Sequence, residues 1–239
     1  QINLAIAGIA IGVVILPQLS KYVHLKKKTN IILIQNKALE LSMFLSLPAA
    51  AALFVGSEEI ISALFGYGSF SEEAVYNSSM ALYYFGFGLP AFALIKVFSS
   101  FFFANNDTKI PFYISLVSVI LNIVISVYFF KIIGFLIIPI ATSISSWFNA
   151  IVLFIFLKNK NIFEFNKIFI SRFFRIVFAS ILMGAVFYNL ISIFKNQLAF
   201  DNYLKIIYLI IAVLLSFLFY VLISYLIKAF KYKDIKLRY

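Results

Sequence analysis

The chain contains no cysteine, one histidine and few charges: 12% of its 239 residues are Asp, Glu, Lys or Arg. Without cysteine there are no disulfides and no thiol chemistry, and nothing is learned about redox compartment. Soluble domains carry about 25% charged residues, so a water-soluble globule of this length is excluded. The lone His24 sits in a basic loop and reads as a solvated residue. No His/Cys/Asp/Glu group has metal-ligand spacing, and no Gly-rich phosphate loop follows a strand pattern. The sequence therefore offers no catalytic constellation and no cofactor motif, and an enzyme is not expected.

What is present is apolar: 64% hydrophobic residues, mean hydropathy +1.04, 30 Phe and 14 Tyr. Crossing a bilayer as a helix takes roughly 20 apolar residues. Seven apolar runs can be marked, at about Ile2–Leu16, Leu39–Gly56, Met80–Ala104, Ile110–Phe130, Phe135–Leu157, Phe173–Phe194 and Tyr203–Ile227. The expected fold is an all-α polytopic membrane protein of about seven spans. The first run is short and opens on Gln1 with no charged segment before it, so it is not a signal peptide. A first span cut short is the expectation. The net charge of +11 would suggest nucleic acid in a soluble protein. Here the basic residues lie between apolar runs, and no nucleic-acid partner is expected. Sixteen of the 20 Lys and Arg fall in one set of alternate connections and three (Lys131, Lys195, Lys205) in the other. That asymmetry places the first set, and the C-terminus, in the cytoplasm. The opposite side carries Glu58, Glu59, Glu72, Glu73 and Asp201, and the glutamates read as solvated at the surface.

Breakers and small residues add detail. Pro48 should bend the second run, and Ala49–Ala52 beside it should allow close helix approach. Gly86, Gly88 and Pro90 mark a bend in the third run. Asp107 and Thr108 are candidate caps for a helix starting near Pro111. Thr142, Ser146 and Ala150 recur at i, i+4, i+8, with Ser143 and Asn149 beside them, a face suited to close helix packing. The last two runs show no such face and read as lipid-exposed or lipid-binding.

Four residues are candidates for a substrate-facing cavity. Lys96 lies about 6 Å from the middle of its run by helix rise, where an ammonium costs roughly 2.5–3.5 kcal/mol to insert. It either snorkels to the cytoplasmic interface or faces a cavity and meets an anion. Ser99, one turn on, could hold water there. Glu40 follows Lys37 near the inner interface and either pairs with lysine or serves a cavity or coupling ion. Asn122 is a lone polar residue in LVSVILNIVIS, suited to helix–helix hydrogen bonding or to the cavity.

Four stretches together resemble one family. They are GVVILPQLSK (Gly12–Lys21), LFGYGSF (Leu64–Phe70), GLPAFALIKVFSSFFFANNDTKIP (Gly88–Pro111) and PIATSISSWFNA (Pro139–Ala150). In order and spacing they resemble the MurJ (MviN) lipid II flippases of the MOP exporter superfamily. The resemblance covers residues 1 to about 160; the last two spans agree by position and hydropathy only. It departs at Gly66-Tyr67, where the family often has Gln-Arg, and at Phe103, where it often has Tyr.

The resemblance implies fourteen spans in the whole protein, as two six-helix lobes and two further helices. Residues 1–160 would be part of the second lobe and 161–239 the added pair, a groove for a polyprenyl tail. It further implies a basic central cavity for the diphosphate and sugar of lipid II, with Lys96 at the position of a family lysine. Partners would be lipid II or a similar polyprenyl-diphosphate sugar, membrane lipids and an N-terminal lobe missing from this chain. The expected activity is movement of lipid II from the inner to the outer leaflet of the bacterial cytoplasmic membrane, by alternating access. A MOP-type exporter of another substrate and a non-transporting membrane scaffold are the alternatives.

Overall fold

The computed structural model describes residues 15–229, and among them every regular element is helical. The helices are α1 (Leu16–His24), α2 (Lys28–Phe65), α3 (Glu72–Ala104), α4 (Lys109–Ile133), α5 (Ile137–Asn159), α6 (Lys167–Ile193) and α7 (Lys205–Leu226), with a 3-10 turn over Gly134–Leu136. Among the described residues, five segments are long and apolar enough to cross a membrane; one of them, Lys109–Asn159, comprises both α4 and α5. Six of the seven apolar runs thus coincide with a helix. The first lies almost wholly outside the described residues.

On α4 and α5 large apolar residues face outward while small and polar ones are buried. Val127 and Tyr128 on α4 are each 71% exposed, while Ser118 on the same helix is buried. Ser143, Ser145, Ser146 and Asn149 are buried on α5. In lipid no hydrophobic force pulls apolar faces together, so small and polar residues mark the contacts. The small face of α5 is therefore a packing face as expected. α7 departs from expectation: Lys205, Leu209, Ala212, Ser216, Tyr220 and Ser224 form a buried stripe at three- and four-residue spacing. Its neighbours are so apolar that run-averaged hydropathy hides it.

The ends of the helices repeat one device. Lys26, Asn106, Asn161 and Lys228 have φ between 52° and 58°, just past the ends of α1, α3, α5 and α7. In each case the next N–H returns to the helix, as in Asp107 to the Phe102 carbonyl and Ile162 to that of Leu157, both 3.0 Å. A left-handed residue there satisfies carbonyls that the helix end leaves open, and asparagine tolerates it well. At the start of α4, Asp107 Oδ1 accepts the Ile110 N–H at 3.3 Å. Thr108, at the N-cap position, makes no side-chain cap bond, so Asp107 alone fills the capping role.

The residues form two compact units. One ends its first stretch at Ser46 and resumes over Phe87–Ser171; the other takes Leu47–Gly86 and resumes at Arg172. The boundaries fall near Pro48 in α2 and Pro90 in α3, so each of these helices contributes to both units. The residue of α2 with non-helical dihedrals is Gly56 (φ −125°, ψ 27°), eight residues beyond Pro48. Glycine is also what fits there: a Cβ at Gly56 would lie 2.5 Å from the Phe187 ring and 2.9 Å from Ile191.

Candidate functional site

In the first unit, α3 and α5 meet where backbone is open. A Cβ at Gly88 would stand 2.9 Å from Ser143 Oγ, so glycine is what lets α5 approach. Nearby on α3, the Phe87 carbonyl accepts the Trp147 indole N–H at 2.8 Å. Toward the other end of α3, Phe98, Phe101, Phe154, Phe163 and Phe165 form an aromatic cluster, with Phe101 stacked on Phe163 at 5.7 Å. Buried Asn36 locks the 160–166 connection by donating to the Glu164 carbonyl (2.9 Å) and accepting the Asn166 N–H (3.0 Å). Gln35 donates to the Ile162 carbonyl at 3.0 Å. Two ion pairs of 2.7 Å, Lys28–Glu164 and Lys160–Asp107, gather the three connections of this end. The Lys160 ammonium, hydrogen-bonded to Asp107, holds its carboxyl below the ordinary range.

On this scaffold one face of α3 stays open. Lys96 and Phe103 are exposed and Ser99 is half-buried, while Val97, Phe98, Ser100, Phe101 and Phe102 are buried. The spacing i, i+3, i+7 puts the three on one stripe. It runs into a groove of about 580 Å³ lined by Ser99 and Phe103 of α3 and by Thr108, Lys109, Phe112, Tyr113 and Ser115 at the start of α4. No carboxylate lines it. Among the four sequence candidates, Ser99 lines the groove and Lys96 precedes it by one turn.

Asn122 and Glu40 are not in that lining. Asn122 Nδ2 donates to Thr142 Oγ1 (3.1 Å) and to Ser145 Oγ (3.3 Å), the helix–helix role. Two turns nearer the groove on the same face of α4, Ser115 Oγ accepts from Asn149 Nδ2 at 3.4 Å. The seam between α4 and α5 is thus polar along its length. Glu40 is half-buried on α2.

The second unit holds a feature that sequence reasoning missed. Lys205, counted only as a loop charge, is fully covered. Its Nζ donates to the Gly66 and Phe200 carbonyls at 2.6 Å each. The rings of Tyr67 and Phe200 lie 4.4 and 4.6 Å away. A charge-assisted bond to carbonyls and a face-on aromatic contact both suit a desolvated cation. The available signal was a lysine opening a 22-residue helix otherwise free of charge. Beside it, Glu58, Glu59 and Glu72 line a cavity of about 560 Å³ together with Lys195, Tyr188 and Phe200. Among the described residues, no group of three or more His, Cys, Asp or Glu is placed to hold a metal ion.

Comparison with known proteins decides the family. The family model described as "Lipid II flippase MurJ" matches residues 1–209. The chain belongs to the MurJ family. A probable lipid II flippase MurJ of Rhizobium meliloti (strain 1021) is 36% identical over 188 residues, covering 79% of this chain and 35% of that protein. One from Thermotoga maritima is 32% identical over 238 residues, covering 98% of this chain and 45% of the relative. The fold is likewise that of a solved lipid II flippase MurJ in an inward closed conformation: TM-score 0.75 at 22% identity, over 98% of this chain and 45% of the other. The chain thus spans between a third and a half of the length of these MurJ proteins.

Proposed function

We propose that this chain supplies the C-terminal part of a flippase that moves lipid II from the inner to the outer leaflet of the cytoplasmic membrane. Residues 1–160 belong to a second lobe and 161–239 to the added helix pair. The lysine-rich connections and the C-terminus face the cytoplasm, and an N-terminal lobe completes the cavity. The observation that carries the reading is the open stripe of α3. An exposed ammonium near mid-span is costly against hydrocarbon and well placed against the diphosphate of a lipid-linked sugar in a water-filled cavity. Ser99 extends the polar surface toward the groove. The two lobes rock about the bound head group, exposing it to one side and then the other. No step of this kind requires bond chemistry from the protein.

The test is lipid II translocation by the complete protein carrying Lys96→Ala, with Lys96→Arg as the charge-retaining control. The alanine variant should lose most translocation at normal expression, and arginine should retain a large part of it. Normal translocation by the alanine variant would overturn the role given to Lys96.

A further inference from the structure

The cavity beside the Lys205 cage has an acidic wall over an apolar floor, and all of its lining belongs to the second unit. The floor is Ser62, Val75, Ile191 and Leu198, none of them more than 9% exposed. Glu59 is half-buried one turn before Ser62 on α2. The spacing of Glu58, Glu59 and Ser62 puts all three on one helix face. Glu58, Glu72 and Lys195 are exposed lining residues, so three carboxylates share the cavity with one ammonium.

Solvation accounts for Glu58 and Glu72, and Glu72 also suits the first turn of α3. It does not account for what lies deeper. Among the described residues neither Glu59 nor Lys195 is in an ion pair, although both line the same cavity. Ser62 is 7% exposed, yet its Oγ has no hydrogen-bond partner among the described residues. Buried hydroxyls are normally paired. Elsewhere in this unit they return to the carbonyl one turn back, as Ser180 and Ser216 do at 2.8 and 2.7 Å. Ser62 instead keeps its hydroxyl at the wall of about 560 Å³ of space, a volume within the range of roughly 300–1,000 Å³ typical of small-molecule sites.

The lining also selects the kind of ligand. The acids call for a cation, and no group of three or more His, Cys, Asp or Glu among the described residues is placed to hold a metal ion. An apolar floor suits a ligand with a hydrocarbon body, and the Tyr188 ring offers a further face to a cation. We propose that this cavity binds a small organic amine, its ammonium at Glu59 and Ser62 Oγ and its apolar body against Val75, Ile191 and Leu198. Phe200 lines the cavity and its carbonyl accepts from Lys205, so an occupant would also steady the 194–204 connection.

Hydrogen exchange of the complete protein, in detergent and an amine-free buffer, tests this with phenethylamine as the probe. Exchange in the 194–204 connection should slow saturably, and phenethyl alcohol, the neutral analogue, should need at least about tenfold more to match it. Glu59→Gln should raise the half-saturating amine concentration roughly fivefold, whereas Lys195→Gln should lower it roughly twofold by removing a repelling charge. Both variants should keep their Tm, since neither residue is in an ion pair. Equal protection by amine and alcohol would overturn the proposal, as would no protection by either. So would a half-saturating concentration unmoved by both substitutions, or protection by calcium chloride at lower concentration than the amine, which would mark an inorganic-cation site. Translocation is not the readout, so failure here leaves the Lys96 reading standing, and failure there leaves this one.

Discussion

Replacing Lys205 with methionine removes a cation from a cage made for one. The side chain keeps nearly the same length and apolar stem, so packing is disturbed little. What is lost is specific: two hydrogen bonds of 2.6 Å to the carbonyls of Gly66 and Phe200, and two ring contacts at 4.4 and 4.6 Å. A buried carbonyl left without a donor costs about 1–3 kcal/mol, and each cation–ring contact is worth about 0.5–2 kcal/mol. Against this, the variant no longer has to desolvate an ammonium, which offsets part of the loss. The net expectation is a destabilisation of about 2–4 kcal/mol. For a domain of 150–250 residues each kcal/mol shifts Tm by about 2–4 °C, so a fall of roughly 4–16 °C follows. The loss should also be local. Gly66–Phe70 and the 194–204 connection should exchange amide hydrogens faster, because Lys205 ties one to the other. Lys205→Arg should fall between: its charge is right, but a Cβ added at Gly66 would already come within 3.2 Å of Nζ, so the larger guanidinium has little room. Melting in detergent and hydrogen exchange read both effects. An unchanged Tm together with unchanged exchange in the two connections would refute the cage as a structural tie.

Other changes test separate parts of the fold. Asn36→Leu should release the 160–166 connection and cost about 1–3 kcal/mol, seen as a lower Tm and faster exchange there, because it leaves the partly buried Glu164 carbonyl and Asn166 N–H without these partners. Gly56→Val should destabilise more than Gly184→Ala: its Cβ would enter the Phe187 ring at 2.5 Å, whereas one at Gly184 meets ordinary contacts at 3.6 Å and beyond. The Asp107–Lys160 tie should respond to acid. The folded carboxyl titrates below its unfolded value, so its contribution is complete above the ordinary aspartate value of about 3.9 and fades as pH falls through the lower folded value. Melting between pH 3 and 7 should show a small acid-side loss that Asp107→Asn flattens. Because the pair is partly exposed, the loss should stay under about 1 kcal/mol.

Much of the architecture was legible because its signals are local. Run length and charge mark α2 to α7, and of the two candidate caps before Pro111 the structure bears out Asp107, while the left-handed Asn106 is added by the structure. The packing face of α5 was visible because small and hydroxyl residues stand out against Ile, Leu and Phe. Features made by distant residues were not. Nothing near Gln35 and Asn36 announces that their partners lie about 130 positions away. The break in α2 was expected at Pro48, whose chemistry is intrinsic. The non-helical dihedrals fall at Gly56, and only the structure shows that a side chain there would meet the Phe187 ring of another helix. The stripe on α7 is likewise defined by burial, since Ala212, Ser216 and Ser224 are too few to lower a hydropathy average.

Lys96 and Lys205 show how far a charge count can reach. In the sequence both are lysines in or beside an apolar run, and the mid-span one is the more anomalous. The structure separates them by what surrounds the ammonium. At Lys205 two carbonyls and two rings from its own unit meet the cation, so its charge is consumed in holding the fold. Lys96 is exposed, on a helix face shared with Ser99 and Phe103 and continuous with a groove that contains no acid. Exposed to hydrocarbon, a lysine within the span would cost roughly 2.5–3.5 kcal/mol, and a cavity holding water or an anion relieves that cost. The two substitutions should therefore fail differently. Lys205→Met should melt early and transport in proportion to the folded fraction, whereas Lys96→Ala should keep its Tm and lose translocation. A Lys96→Ala protein that both melted early and recovered full translocation on cooling would assign Lys96 to the fold instead.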